Sequence, residues 1–281
     1  MTNNPSISVL MPVLRPHPVY FREALESILS QTLADWELVI VEDPSESPAA
    51  AILAHFHDPR IRYQCNPQRT SLSDSLNLAL ALARAPLVAR LDADDICEPD
   101  RLEQQCRFLG SHLEIDVLGS QITVIDQHGR TCGRRAYPLE HRSIREALPR
   151  FNPLAHPSVM FRRQAVLAAG GYQRKINEDY DLWSRMAHSG SRFANHSEAL
   201  LRYRIHPEGL KASQLRAILR DTLEIKRRYW ASEMGLRARA RMLAECALLR
   251  LPPGLVLRLF SALHVRAAGS GEKGTHPCAL W

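Results

Sequence analysis

Pro86-Leu87-Val88-Ala89-Arg90-Leu91-Asp92-Ala93-Asp94-Asp95 is an apolar run that closes on three carboxylates. The run has the length and continuity of a strand buried on both faces of a parallel sheet. Carboxylates so close together repel one another and are stable only with positive charge among them. Oxygen donors at that density suit a hard divalent cation, Mg²⁺ or Mn²⁺. Open α/β sheets also bind their ligands outside the carboxyl ends of their strands. An acidic turn is the competing explanation for Asp92 and Asp94, so the neighbouring segments matter.

Working outward, residues 7–13, Ile-Ser-Val-Leu-Met-Pro-Val, form a second continuous apolar run, and residues 36–41, Trp-Glu-Leu-Val-Ile-Val, a third. The third also ends in carboxylates, Glu42 and Asp43. Between the 7–13 and 36–41 runs lies a helix with Phe21, Leu25, Ile28 and Leu29 on one face, and before the 86–92 strand another carries Leu72, Leu76, Ala79, Leu80 and Ala83. Strand, helix, strand, helix, strand implies right-handed crossovers and a Rossmann-like, mostly parallel sheet flanked by helices. Glu42/Asp43 and Asp92/Asp94 then share one rim. Beyond the helix opened by Pro99-Asp100-Arg101, the pattern predicts strands over 117–125, 157–161 and 200–205. Short helices are expected over 143–148 and 163–169, and a longer one over 179–188.

At 281 residues, with 45% hydrophobic and 23% charged residues, the chain has enough apolar material for a large core. The first residues lack the basic n-region of a secretory signal, and no run reaches the length of a spanning helix. Cys65, Cys97, Cys106, Cys132, Cys246 and Cys278 form no Cys-X-X-Cys pair. Reduced thiols in a cytoplasmic protein are therefore expected, without a zinc site or disulfide framework. The net charge of +6 is uneven: residues 211–281 carry 13 Lys/Arg against 5 Asp/Glu, and the rest 23 against 25. Two regions follow, a body over 1–210 and a basic helical extension over 211–281.

The order of segments resembles family 2 glycosyltransferases. The resemblance rests on Ile7-Ser8-Val9-Leu10-Met11-Pro12-Val13, residues 24–32, Glu37–Asp43, and Ala89-Arg90-Leu91-Asp92-Ala93-Asp94-Asp95 followed by Pro99-Asp100-Arg101. Next come residues 156–163, Gly170-Gly171-Tyr172, Glu178-Asp179-Tyr180-Asp181-Leu182-Trp183 and Arg202-Tyr203-Arg204-Ile205-His206-Pro207. The resemblance implies a GT-A fold that moves a sugar, hexosyl or N-acetylhexosaminyl, from a nucleotide-sugar donor to a hydroxyl with inversion. The acceptor it implies is a glycan or lipid-linked molecule of a surface polysaccharide. It places Asp94, Asp92 and His206 on Mn²⁺ or Mg²⁺, and Pro12, Val13, Asp43, Asp92 and Arg90 around the donor nucleotide. Asp179 becomes the base, kept ionised by helix N–H groups.

Each role has a plainer alternative. Asp43-Pro44-Ser45 is good turn chemistry, Glu178, Asp179 and Asp181 suit any first helical turn, and His206 could simply pack or face water. His156 fits capping or acceptor contact, and Trp183 reads as core. The chain departs from the family at Glu42-Asp43-Pro44-Ser45 and Arg69-Thr70-Ser71, which leaves base and sugar open. It lacks the Gln-X-X-Arg-Trp signature of processive synthases, so single-sugar addition is expected. A silent nucleotide-binding or scaffold module on the same fold is the rival reading. Without interleaved aromatics, the basic extension is not expected to bind nucleic acid. Its helices, expected over 211–229 and 237–249, and the apolar-basic stretch 254–268 either pack on the body, pair with a second copy of the chain, or lie on an anionic membrane. The last arrangement would place the protein peripherally on the inner face of the cytoplasmic membrane.

Overall fold

A computed structural model describes residues 4–205 and 212–248. The sheet is built around β1 (Ile7–Val13), every residue of which is buried. Helix α1 (Pro18–Leu29) leads to β2 (Trp36–Glu42), which pairs parallel to β1 with Val13 opposite Glu42. The chain does not then pass straight to the next core helix. It makes one short turn, α2 (Ala50–Leu53), and adds β3 (Ile61–Cys65) parallel to β2 at the sheet edge. Sequence patterning missed β3 because its residues are half-buried or exposed and show no apolar run. Helix α3 (Leu72–Leu82) starts with a reciprocal cap between Ser71 and Asp74, and it returns the chain to β4 (Leu87–Arg90) beside β1.

After the two-residue β5 (Ile96–Cys97) and α4 (Arg101–Ser111), the sheet becomes mixed. The long strand β6 (Val117–Ile125) carries the hairpin partner β7 (Thr131–Arg135), and α5 (His141–Ala147) follows. Residues 157 and 158, expected in a strand, fall instead in a 3₁₀ turn over His156–Ser158, since Pro157 has no N–H for a ladder. The strand β8 is only Met160–Arg162, antiparallel to both β4 and β6. Then come α6 (Arg163–Ala168), stopped by Gly170 and Gly171 at positive φ, α7 (Glu178–His188) and β9 (Phe193–Arg204). β9 runs parallel to β6 and also pairs with β5. The order across the sheet is β3-β2-β1-β4-β8-β6-β9-β5.

Helices cover both faces. One core packs α1 and α4 on the sheet through Phe21, Leu25, Ile28, Leu102 and Leu109. The other packs α3, α6 and α7 through Leu76, Leu80, Val166, Trp183 and Met186. The extension joins this second core. α8 (Ala212–Ile225) continues through a wider π-helical turn at Lys226–Trp230, and α9 (Leu236–Leu248) folds back beside it. Trp230 is fully buried, with its Nε1–H donating to Ser184 Oγ at 3.0 Å. Buried Lys226 pairs with Glu245 at 2.7 Å. Up to residue 248 the extension therefore packs on the body; residues 254–268 lie outside the described part.

Candidate active site

Pro12 marks where the sheet opens. Leu91 N donates to Leu10 O, where β1 last meets β4. The β4 register has already ended at Arg90, and at Pro12 no ladder N–H is required. The strands diverge there into a cleft of about 490 Å³. Pro12, Val13, Asp43, Asp92 and Asp94 all line it, together with Arg15, His17, Tyr20, Arg69, Thr70 and Ser75.

Asp43, 5% exposed, is the fixed point of the wall beside β2. Its Oδ1 accepts from Asn66 Nδ2 at 2.7 Å, Thr70 Oγ1 at 2.8 Å and Ser75 Oγ at 3.2 Å; Oδ2 accepts from Thr70 N at 2.9 Å. Burial pushes this carboxyl up, but the bonds from Asn66, Thr70 and Ser75 outweigh it and hold the group below the usual range. Oδ2 keeps capacity for one more donor. Glu42 points elsewhere: fully buried, it accepts from Ala49 N and the Tyr63 hydroxyl.

Across the cleft, Asp92, Asp94 and Asp95 can each bring one carboxylate oxygen within 4.8 Å of the others. Asp95 lies deepest, 1% exposed, with Oδ1 accepting from Arg204 N and Oδ2 buried without a hydrogen-bond partner. Burial, reinforced by Asp92 and Asp94, pushes its carboxyl well up. An all-oxygen set with an orphaned buried oxygen fits a hard divalent cation. The positive charge that the acidic segment requires is in part Arg90. It does not line the cleft but lies beneath it, 3% exposed, ion-paired to Asp92. Burial disfavours its charge, yet Asp92, Glu178 and Asp95 more than compensate and raise its pKa.

The same Arg90 is felt by the start of α7, where Asn177 sits in the left-handed region at φ 48°. Asn177 Nδ2 donates to Ile218 O, Asp221 and Thr222 of α8, so the extension braces this helix end. Glu178 lies 3.4 Å from His156 Nδ1, and His156 Nε2 meets the Tyr172 hydroxyl at 3.1 Å. Burial raises the Glu178 carboxyl, but His156 and Arg90 reverse the effect and keep it low. Asp179 behaves oppositely. Its Oδ2 accepts from Asn152 Nδ2 at 2.6 Å and its Oδ1 from Tyr180 N at 2.7 Å. Burial is nevertheless the largest influence and, with Glu178 adjacent, raises its pKa despite His156 and the Tyr180 N–H. The helix N–H at Tyr180 does favour the charged carboxylate, but desolvation outweighs it and the net shift is upward. Trp183 is fully buried core. His206 lies outside the described residues.

Sequence reasoning passed over several cleft residues. Arg15 and His17 follow β1 on either side of Pro16, and Tyr20 lies in the first turn of α1 behind Pro18; the two prolines are a visible signal of fixed geometry at a strand's carboxyl end. Arg69 and Thr70 showed only as a departure from the family pattern, and Ser75 not at all. Asn152 had no local signal, and Arg204 showed only as part of the 202–207 family segment, because their partners are distant in sequence.

A mostly parallel α/β sheet with carboxylates gathered at its open edge has the architecture of a GT-A glycosyltransferase. It resembles the N-terminal part (residues 1–349) of Staphylococcus aureus TarS in complex with UDP-GlcNAc, with a TM-score of 0.63 at 16% identity over 87% of this chain and 72% of that one. It also resembles a mannosyltransferase from Pyrobaculum calidifontis in complex with GDP-Man and Mn²⁺, with a TM-score of 0.60 at 18% identity over 97% and 77%. The chain belongs to glycosyl transferase family 2, whose model matches residues 8–170. Among its relatives, Escherichia coli WbnJ, an O-antigen biosynthesis glycosyltransferase, is 35% identical over 215 residues, 74% of this chain and 83% of WbnJ. The E. coli UDP-Gal:alpha-D-GlcNAc-diphosphoundecaprenol beta-1,3-galactosyltransferase is 27% identical over 74% of this chain and 78% of its own.

Proposed function

We propose that this glycosyltransferase is a metal-dependent, inverting, non-processive enzyme of bacterial surface-polysaccharide assembly. It moves a hexosyl or N-acetylhexosaminyl group from a nucleotide sugar to a hydroxyl of a glycan or lipid-linked acceptor. The observation that carries this reading is the meeting of Asp43, Asp92 and Asp94 in one cleft at the carboxyl edge of the sheet.

Asp43 holds Asn66, Thr70 and Ser75 in place and offers Oδ2 to a nucleobase N–H, with the Pro12 and Val13 backbone alongside. Asp92 and Asp94, backed by Asp95 and joined by His206, would hold Mn²⁺ or Mg²⁺. Bound there, the ion supplies neutralising charge to the departing diphosphate. Arg90 acts from below, balancing the carboxylates rather than touching the nucleotide. Asp179 is the base. Its raised proton affinity suits removal of the acceptor hydroxyl proton as that oxygen attacks the anomeric carbon, and Asn152 aims the carboxylate. One displacement from the face opposite the leaving group inverts the configuration.

The name of the diphosphoundecaprenol-acting relative supports a lipid-linked acceptor. No helix among the described residues is long and apolar enough to cross a membrane. The basic stretch 254–268 is proposed to meet an anionic leaflet. Salt-sensitive cosedimentation with anionic liposomes should be lost on truncation after Leu248; equal pelleting of both forms rejects that contact. For the activity itself, a panel of UDP, GDP and dTDP sugars incubated with and without Mn²⁺ should single out one donor that is hydrolysed or transferred. NMR of the released or transferred sugar should show inverted configuration. Nucleotide binding with no turnover of any donor would favour the silent module instead.

A further inference from the structure

Arg204, the last residue of β9, has a guanidinium 1% exposed. It reaches three separate parts of the chain. Nε donates to Asp94 O at 2.9 Å, Nη1 to Asp126 O at 3.3 Å after β6, and Nη2 to the Glu23 carboxylate on α1 at 2.5 Å. Its flat face covers the ring of Tyr20, 4.3 Å from the centroid, and Tyr20 lines the cleft. Its own backbone N–H donates to Asp95 Oδ1 at 2.8 Å. One residue thus grips the carboxylate loop at two consecutive positions and ties it to α1, which carries Tyr20 and Glu23.

We propose that Arg204 is a positioning residue of the donor site: it fixes the 92–95 carboxylate loop against Tyr20 and so sets metal and donor affinity without touching either. The proposal rests on the donor-site reading above. The fork geometry is essential. Three in-plane N–H directions serve three acceptors while the face stacks, which a lysine ammonium cannot reproduce. Residues that orient metal ligands from behind commonly change metal affinity by about 10- to 100-fold when replaced.

The test uses the full chain and the variants Arg204→Lys, Arg204→Met and Glu23→Gln. The last keeps Arg204 and removes one anchor, so the question survives if a direct replacement fails to fold. Amide hydrogen exchange without metal should quicken at residues 92–95 and around Tyr20, and stay unchanged in α3 and α7. Calorimetry should show Mn²⁺ affinity lowered about tenfold or more, and donor KM should rise while acceptor KM holds. Unchanged exchange at 92–95, or quickening spread evenly across the sheet, overturns the proposal. Local quickening in a protein whose wild type takes up no Mn²⁺ upholds the positioning role and sinks the metal reading instead.

Discussion

Replacing Asp179 by Asn separates catalysis from folding at the start of α7. The carboxylate stands beside Glu178, and burial raises its pKa, so the fold disfavours its charged form. An amide removes that buried charge, which is stabilising. Against this, the 2.6 Å bond from Asn152 loses its charge-assisted character. Charge-assisted bonds contribute about 1.5–3 kcal/mol and neutral ones about 0.5–1.5, so the loss is about 1 kcal/mol. The two effects oppose, and Tm should stay within about 4 °C of wild type. Catalysis has no such compensation: losing a general base costs about 10²- to 10⁴-fold. Transfer assays at saturating donor should therefore fall at least a hundredfold, while donor affinity stays near wild type. In the wild type, kcat/KM should decline on the acid side at a pH above the ordinary aspartate range, because Asp179 must be ionised to work. Folded Asp179 also binds its proton more tightly than in the unfolded chain, so its contribution to stability decreases as pH rises through that window. Near-normal transfer by the variant would refute the base assignment, and equal loss of donor binding and turnover would make Asp179 a binding residue instead.

Asp43→Ala strips the acceptor from four donors, some of which water at the cleft can satisfy; a cost of about 2–3 kcal/mol is expected, read by urea unfolding, together with loss of nucleoside diphosphate binding. Because folding depresses this carboxyl, its stabilising contribution is present above the ordinary carboxylate range and disappears as pH falls through the folded value; an acid denaturation profile identical in Asp43→Asn would contradict this. Trp230→Ala should cost about 3–5 kcal/mol and raise amide exchange in both α7 and α8, since the indole is fully buried between them; a loss confined to α8 would show that the extension does not brace the base-bearing helix.

The parallel half of the fold was legible because its strands are nearly continuous apolar runs, buried along their whole length at β1 and β2. β3 was not, since an edge strand with a half-exposed face carries no such signature. Residues 157 and 158 misled because Val159, Met160 and Phe161 look like the end of a longer strand, and Pro157 turns the chain first. At the site, Asp43, Asp92 and Asp94 could be placed on one rim from strand order alone. What could not be read is how they are held. Asn152 reaches Asp179 across 27 residues, and Arg204 reaches Asp94 across 110. Local patterning contains nothing about such pairs. The upward shift at Asp179 was not legible for a related reason: a helix start is visible in sequence, but its burial is not.

The most direct test of the donor-site assignment is calorimetric titration of UDP and GDP into wild type and Asp94→Ala, each with and without Mn²⁺. Removing one of three mutually repelling carboxylates should leave the fold intact, so loss of binding cannot be blamed on unfolding. Wild type should bind one of the two nucleotides in a Mn²⁺-dependent manner, and Asp94→Ala should lose that dependence with its Tm preserved. Mn²⁺-dependent binding of equal affinity in Asp94→Ala would contradict the account.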